Sequence, residues 1–203
     1  MKKIISFLFI SCLFMGSMTH NSQYNNTLTQ QQEEKYSRKQ EIKNELAHEV
    51  NNYIKSVAPE SQVSADYLVN GCADYNIDII FVLAQGTLES HFATKGVGGK
   101  INSIFNVRVY DTIKNGNDVA SKYRYPHPDE SIEPYLQLLK ENYLVDGKTE
   151  TDLLSNFVNK YGQRYASYPT YETQMAHIMK RIKRTSKIDS LSVEYKAMDM
   201  IQL

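Results

Sequence analysis

Apolar residues recur at helical spacing through most of the chain, and one segment stands out from this pattern. In residues 78–92 the first half, IIFVLA, is apolar on every side of a helix. Such a run predicts a helix surrounded by other helices, because a surface helix would show a polar face. The last two turns carry Gln85 and Glu89, which are four residues apart and share one face. The sequence therefore predicts a central buried helix that ends in a carboxylate.

One-sided apolar stripes predict five further helices. They cover residues 33–57 and 64–75 and three shorter segments that begin near Ser131, Thr151 and Thr170. Ser64, Asp78, Thr151 and Thr170 are expected to cap helices, because their side-chain oxygens can accept bonds from free backbone N–H groups. Residues 188–203 show no pattern that decides whether they pack against the rest.

Two segments between the central helix and the later helices have a different texture. Gly96, Gly98 and Gly99 predict a loop. Apolar and polar residues then alternate in 105–110 and again in 119–125, on either side of an Asn-Gly pair, which predicts a β-hairpin. We therefore expect a mainly α (α+β) fold, in which a cleft separates a helical lobe from a small β-hairpin lobe.

The first residues resemble an export signal. A basic start precedes a short apolar run, residues 4–15, which is too short for a permanent membrane helix. Cleavage near residues 18–21, acylation of Cys12 in a sequence similar to a lipobox, and an uncleaved segment all remain open. Residues 1–18 are thus predicted to be a signal peptide or a lipoprotein signal, and we expect a protein of the periplasm, the outer surface or the extracellular space.

Composition divides the remainder of the chain. Residues 19–32 are Asn, Gln, Thr and Ser with almost no apolar side chains, so they predict a disordered tether. The folded domain is expected at residues 33–187, and a tail of undecided structure at 188–203.

The charge balance excludes some classes of partner. Lys plus Arg and Asp plus Glu both number 23, so no basic surface for nucleic acid is expected, and membrane contact is expected only through the signal peptide or a lipidated Cys12. The histidines are scattered without metal-ligand spacing and the glycines lack phosphate-loop spacing, so we expect no metal and no other cofactor. We expect a monomer.

Glu89 is the first candidate for chemistry. Desolvation at the end of an apolar helix would favour its neutral form, which is the condition for a general acid near neutral pH. The alternative is a solvated Glu at a helix end. Cys72, Asp74 and His91 could form a thiol peptidase set, but Cys72 lies inside an amphipathic helix, which is typical of a core cysteine.

Four motifs, in order, resemble one enzyme family. AQGTLESHF, NSIFNVRV, KYRYPHPDESIEPYLQLL and RYASYPTYETQMAHIM resemble segments of the glucosaminidase family of peptidoglycan hydrolases, glycoside hydrolase family 73 of flagellar and autolysin type. Together the motifs cover about residues 78–182. The resemblance implies a lysozyme-like fold with a glycan groove between a helical lobe and a β-lobe.

The resemblance also implies roles for particular residues. Glu89 would be the proton donor that cleaves the β-1,4 bond after N-acetylglucosamine in peptidoglycan glycan strands. Tyr165 matches the functional tyrosine of the family; the alternative is a loop tyrosine packed on Tyr161. The residues expected to bind substrate are Gln85, His91, Asn102, Phe105, Arg108, Tyr110 and Tyr171.

The chain departs from the family pattern at two positions. Thr112 stands where the family has a second acidic residue, so Asp111, or less readily Asp118, is the candidate second carboxylate, although both also suit a turn. Asn106 replaces a family glycine, and Asn tolerates the left-handed backbone that glycine would adopt there.

The identity and position of the second catalytic group decide the mechanism. Carboxylates about 6.5–9.5 Å apart favour inversion and a separation of about 5–5.5 Å favours retention, while attack by the N-acetyl group of the substrate needs no second carboxylate. The rival functions are a muramidase or lytic transglycosylase of the same superfamily, and a wall-binding module that does not turn over substrate.

Overall fold

The computed structural model of the protein describes residues 8–107 and 124–200, with side chains described within 29–107 and 124–198. The described residues form eight α-helices. In chain order they are α1 (Leu8–Val57), α2 (Ala65–Asp74), α3 (Ile79–Ser90), α4 (Gly96–Ile101), α5 (Ile132–Leu138), α6 (Glu150–Ser155), α7 (Tyr171–Thr185) and α8 (Ile188–Met200). A 3-10 turn, Pro128–Ser131, precedes α5, and a π-helical turn, Leu139–Tyr143, continues it.

The predicted central helix is confirmed as the core of the fold. Every residue of α3 from Ile79 to Ala84 is at most 3% exposed. Asp78 caps this helix, since its side chain accepts a 2.8 Å hydrogen bond from the backbone N–H of Ile80. Helices α2, α4, α7 and α8 all pack against α3, which explains why it has no polar face in its first half.

Residues 188–200, most of the predicted tail, form helix α8, which docks against α1. Arg38 on α1 donates a 2.9 Å hydrogen bond to Glu194 on α8, and Lys39 lies over the ring of Tyr195, 5.1 Å from its centroid. Ile188 and Leu191, on the apolar side of α8, are buried. Helix α8 is therefore part of the helical domain.

The N-terminal half of α1 differs from the prediction. Residues 19–32, predicted to be a disordered tether, lie within α1 in the structure. The side chains described between 29 and 41 are not buried, and burial along α1 begins at Ile42. The Gln-, Glu- and Lys-rich sequence just before the packed part favours helix, so the helix can extend outward from its docked segment. In the part of the chain described, no helix combines the length and apolarity that crossing a membrane requires.

Three local predictions were wrong. Thr170 stands at the N-cap position of α7, but its side chain accepts no hydrogen bond from the backbone N–H groups of that helix. Gly96, Gly98 and Gly99, predicted to form a loop, lie in α4, because close packing of Gly98 on its neighbours outweighs the low helix propensity of glycine. Thr149, not Thr151, caps α6, in a reciprocal capping box with Asp152.

The predicted β-hairpin lies mostly outside the described residues, which end at 107 and resume at 124. Within the described ranges there is no strand, and a single antiparallel bridge joins Val158 and Arg164. At the far edge of the gap, the N–H group of Tyr125 donates to the carbonyl of Ile101 at 2.9 Å, so the chain returns to the end of α4. The described fold is mainly helical.

Candidate active site

Glu89 lies in the last turn of α3, where the buried helix reaches the surface. Its side chain is half-buried, whereas Ser90 beside it is 1% exposed. His91 ends the helix in a left-handed conformation with φ of 47°. Ser90 ties this end to the following loop, because its hydroxyl donates to the carbonyl of Ile104 at 2.7 Å and accepts from the N–H of Ala93. The helix end that carries the carboxylate is therefore fixed.

Two side chains donate hydrogen bonds to the carboxylate. The hydroxyl of Tyr171, at the start of α7, donates to Oε1 of Glu89 at 2.5 Å. The side-chain Nδ2 of Asn106 donates to Oε2 at 2.7 Å and to the backbone carbonyl of Glu89 at 3.1 Å. Each carboxylate oxygen thus has its own donor, one from the loop after α4 and the other from the first residue of α7.

The electrostatic balance favours a proton on Glu89. Burial raises the pKa of its carboxyl group above the ordinary value, and the hydrogen bonds from Tyr171 and Asn106 offset this only in part. Among the described residues no charged side chain contributes to the shift. A carboxyl group in this setting is suited to donate a proton near neutral pH.

Tyr165 belongs to an aromatic cluster beneath the carboxylate. Its ring stacks on Phe157 with a centroid distance of 4.7 Å, and lies 5.9 Å from Tyr171 and 5.7 Å from Tyr143. Tyr161, the alternative packing partner considered from the sequence, is 72% exposed. The pKa of Tyr165 is raised well above its ordinary value by burial, with the charge of Glu89 adding to the shift.

The hydroxyl of Tyr165 is already bonded in this arrangement. It donates to the backbone carbonyl of Phe105 at 2.7 Å. The bond links the loop ahead of α7 to the loop that carries Asn106. Tyr165 thus joins the two segments that hold Glu89, and burial keeps its hydroxyl protonated because the phenolate would be desolvated.

Gln85 and Phe105, both expected to bind substrate, lie beneath the surface. Gln85 is 0% exposed and Phe105 is 1% exposed. Oε1 of Gln85 accepts a short hydrogen bond from the hydroxyl of Tyr135, and the ring of Phe105 stacks on that same tyrosine at 3.6 Å. These residues support the site from below, and direct contact with a ligand would require the side chains to become accessible.

Asn102 and His91 lie at the edge of the site. Nδ2 of Asn102 donates to the backbone carbonyls of Tyr125 and Pro126, at 2.9 and 3.3 Å, and its Oδ1 accepts from Arg124 at 3.2 Å. Asn102 therefore holds the chain where it returns after residue 123. The pKa of the His91 imidazole is lowered by burial and by nearby Lys95, so the ring is neutral at pH 7.

The remaining predicted site residues cannot be placed. Arg108, Tyr110, Asp111 and Asp118 all lie in residues 108–123, outside the described residues. Within the described ranges, no other carboxylate bonds to Glu89 or to its two donors.

The sequence pattern did not identify two roles. At Asn106 the sequence predicts only a left-handed backbone, which its φ of 55° confirms, and gives no sign of the hydrogen bond to Glu89. Tyr171 was expected to contact substrate, whereas it is 5% exposed and bonds to the carboxylate. One feature of the sequence could have indicated these roles: Asn106 and Tyr171 lie in two of the motifs that resemble the family, and both motifs border the site.

Cys72 is a core residue. It is 3% exposed, its thiol is free, and burial raises its pKa so that it stays protonated. A thiolate nucleophile is therefore not formed at this position.

Comparison with known proteins gives matches consistent with this site. Two Streptococcus pneumoniae proteins, one from serotype 4 strain TIGR4 and one from strain R6, are each named "Putative endo-beta-N-acetylglucosaminidase" and are 28% identical over 108 residues. The match covers 53% of this chain but 15% and 14% of those proteins, so the chain corresponds to about one seventh of their length. No solved structure matches.

The family described as "Glucosaminidase: Mannosyl-glycoprotein endo-beta-N-acetylglucosaminidase" matches residues 65–184, from the start of α2 almost to the end of α7. The matched segment includes Glu89, Asn106, Tyr165 and Tyr171. It spans more than half of the sequence, and the chain therefore belongs to the glucosaminidase family.

Proposed function

We propose that this chain hydrolyses the β-1,4 bond after N-acetylglucosamine in bacterial peptidoglycan, with Glu89 as the general acid. The observation that carries the proposal is the half-buried carboxyl group of Glu89, whose pKa is raised by burial and whose two oxygens each accept a hydrogen bond. Family membership and the names of the pneumococcal relatives support a glycosidase. The motifs shared with wall hydrolases support peptidoglycan as the substrate.

The proposed chemistry begins with neutral Glu89. Its proton passes to the glycosidic oxygen as the bond to the anomeric carbon breaks, so the bonding electrons remain on the leaving oxygen and positive charge develops on the sugar. The acid is left as a carboxylate. Tyr171 and Asn106 both donate to that carboxylate, and their bonds strengthen as its negative charge appears. The same donors therefore stabilise the acid after it has given up its proton.

The second half of the reaction rests on Asp111 or on the substrate itself. Asp111 is the proposed second carboxylate and could activate water or attack directly, depending on its distance from Glu89. Attack by the N-acetyl group is the remaining route. Proton NMR of the first product distinguishes inversion from retention. The variant Asp111→Asn distinguishes the remaining routes: if Asp111 takes part, the rate should fall about a thousandfold or more, whereas the substrate-assisted route should not depend on this carboxylate.

The test of the proposed function is digestion of purified peptidoglycan sacculi. Wild type should release soluble fragments and Glu89→Gln should release none above background. Glu60→Gln, the same change at an exposed position outside the site, is the matched control and should behave as wild type. Release by Glu89→Gln at the wild-type rate would contradict the assignment of the acid.

The fragments also decide the bond that is cut. After borohydride reduction, cleavage after N-acetylglucosamine gives N-acetylglucosaminitol and cleavage by a muramidase gives N-acetylmuramitol, while a lytic transglycosylase leaves an anhydro sugar. A high-mannose glycoprotein should be tested in parallel because of the family's description. A protein that cosediments with sacculi but releases nothing at any pH would be a wall-binding module.

The proposed substrate places the site of action outside the cytoplasm. The predicted export signal and the possible acylation of Cys12 accord with that location and remain predictions. Mass measurement of the mature N-terminus would decide between them, because acylation adds a lipid to Cys12 whereas ordinary cleavage removes the residue.

A further inference from the structure

Asn106 makes contacts that its backbone conformation alone does not require. The residue is left-handed, with φ of 55°, and Asn, Asp and Gly are the residues that adopt this conformation most readily. A residue needed only for the turn could be any of these three. Yet its side-chain amide donates to two oxygens of Glu89, one on the carboxylate and one on the backbone.

The two acceptors fix the orientation of the amide. Because Nδ2 is the donor to both oxygens of Glu89, the amide oxygen must point the opposite way. That oxygen is buried, lacks a hydrogen-bond partner among the described residues, and faces Gly98 on α4. A methyl group at Gly98 would lie 2.8 Å from it. A buried amide oxygen without a partner is unfavourable, so the bonds on the nitrogen side must outweigh this loss.

We propose that Asn106 is a positioning residue, whose amide ties the carboxylate of Glu89 to the backbone of the same residue and so fixes the direction in which the acid faces the glycan. This inference rests on the proposed role of Glu89 as the acid. It adds a function to a position where the chain departs from the glycine of the motif that it resembles.

A second consequence concerns pH. A donor to a carboxylate favours the charged form, so Asn106 lowers the pKa of Glu89 against the effect of burial. The titratable groups that face Glu89 are Tyr171 from α7, Tyr165 from the loop before it and Tyr135 from α5. The pKa of each tyrosine is raised by burial, so all three stay neutral. Within the described residues, therefore, hydrogen bonds rather than charges oppose the desolvation of the acid.

The variant Asn106→Gly removes the amide and keeps a residue that tolerates positive φ. The Glu89 carboxyl carbon of the resting protein should then titrate about one pH unit higher by carbon-13 NMR, the size expected when one hydrogen bond to a charged group is lost. Asn106→Asp places a second carboxylate against the first and should raise the titration further. The signal is assigned by its absence from Glu89→Gln.

The matched control is Asn76→Gly, the same change at another left-handed asparagine, with φ of 48°, in the turn between α2 and α3. It should leave the titration of Glu89 unmoved. An unchanged titration in Asn106→Gly, in a protein that folds as wild type does, would show that only the backbone of this residue matters and would overturn the proposal.

Activity gives an independent readout. On sacculi, Asn106→Gly should lower kcat about tenfold with little change in KM, as expected for a misdirected acid, and should move the alkaline limb of the pH profile upward. The titration needs no substrate, so it decides the role of Asn106 even if the protein hydrolyses no peptidoglycan. Failure of the titration and failure of hydrolysis are therefore separate outcomes.

Discussion

The hydroxyl group of Tyr171 donates a 2.5 Å hydrogen bond to Oε1 of Glu89, and so joins residues that lie 82 positions apart in the chain. This bond connects the end of the central helix α3 to the first residue of α7. The two helices also pack against each other through the core. The proposed acid is therefore held by the packing of the helical domain, and its protonation depends on a helix distant in sequence.

Removing this hydroxyl should change the pH dependence of the reaction. Tyr171→Phe deletes a donor to the charged form of Glu89, so the pKa of that carboxyl group, already raised, should rise further by about one unit. The acid then keeps its proton to higher pH. The alkaline limb of kcat/KM on sacculi should move upward by the same amount, which a pH–rate profile of both proteins would measure.

Tyr143→Phe is the matched control for this prediction. Tyr143 belongs to the same aromatic cluster, with its ring 5.7 Å from that of Tyr165, but does not bond to Glu89. Its pH profile should coincide with that of wild type. A profile of Tyr171→Phe that also coincided with wild type would mean that this hydrogen bond does not act on the acid.

The sequence predicted the helical fold well where the apolar pattern within one segment determines whether that segment is buried. The run from Ile79 to Ala84 could only be buried, and Asp78 capped the helix as its position indicated. The prediction was wrong where tertiary packing outweighs helix propensity, or where a neighbouring residue caps the helix instead of the predicted one. Gly98 is helical because of what surrounds it, and Thr149 caps α6 because Asp152 completes a capping box that Thr151 cannot form.

The site was predictable only in part, for a related reason. A carboxylate at the end of a buried helix can be recognised within one segment, so the sequence predicts the place of Glu89, while its proposed role as the acid comes from the motifs that resemble the family. The donors to it come from Asn106, 17 positions away, and from Tyr171, 82 positions away. Periodicity carries no information about such pairs, because it describes neighbours on one element rather than side chains that meet across the fold.

The ion pair between Arg164 and Glu172 should control the loop that carries Tyr165. Nη2 of Arg164 lies 2.7 Å from both carboxylate oxygens, and Glu172 also accepts from the N–H of Phe157 at 3.2 Å. Arg164→Met should loosen residues 156–170, lower kcat/KM severalfold and increase cleavage of the loop by proteases. Limited proteolysis and rates on sacculi would measure both effects.

A double-mutant cycle would test whether the pair itself is responsible. Arg164→Met and Glu172→Gln should show a coupling free energy of about 0.5–1 kcal/mol, since Arg164 is partly exposed and the pair is screened by solvent. Arg181→Met, at an exposed position on α7, is the matched control and should leave the loop unchanged. Zero coupling would assign the loss to other contacts of Arg164.

Gly98→Ala should disturb the acid from a distance. An added Cβ would lie 2.5 Å from the carbonyl oxygen of Ser103, 2.6 Å from Cβ of Ser90 and 2.8 Å from Oδ1 of Asn106. Overpacking of this kind costs about 1–3 kcal/mol. The displaced groups include the amide that bonds to Glu89, so activity on sacculi should fall together with the free energy of unfolding.

Gly71→Ala provides the comparison for that prediction. This glycine is also helical, and its added Cβ would lie 2.7 Å from the terminal Cδ1 of Leu136 and 3.4 Å from Cγ2 of Ile132, which are side-chain rather than backbone atoms. Both variants gain the helix propensity of alanine, so the difference between them isolates steric overlap with the backbone near the site. Equal stability and equal activity of the two variants would show that a methyl group fits at Gly98, which would contradict the predicted steric overlap.

Glu89→Gln should stabilise the protein at neutral pH while abolishing activity. The pKa of Glu89 is raised in the folded protein above the ordinary 4.5 of an unfolded chain, so the folded protein binds the proton more tightly than the unfolded chain does. The favourable contribution of this group is complete below pH 4.5 and is lost as pH rises through the raised value. Gln stays neutral throughout, and the hydroxyl of Tyr171 can turn to accept from its amide.

Thermal unfolding of Glu89→Gln and wild type across pH 4 to 8 measures this effect. The Tm of the variant should exceed that of wild type at pH 7, where each 1 kcal/mol corresponds to roughly 2–4 °C in a domain of this size, and the difference should shrink toward pH 4. Glu60→Gln, at an exposed position, should show no such trend. A variant less stable than wild type at pH 7 and equally so at pH 4 would mean that the folded protein does not favour the proton on Glu89, and the general-acid role would lose its electrostatic basis.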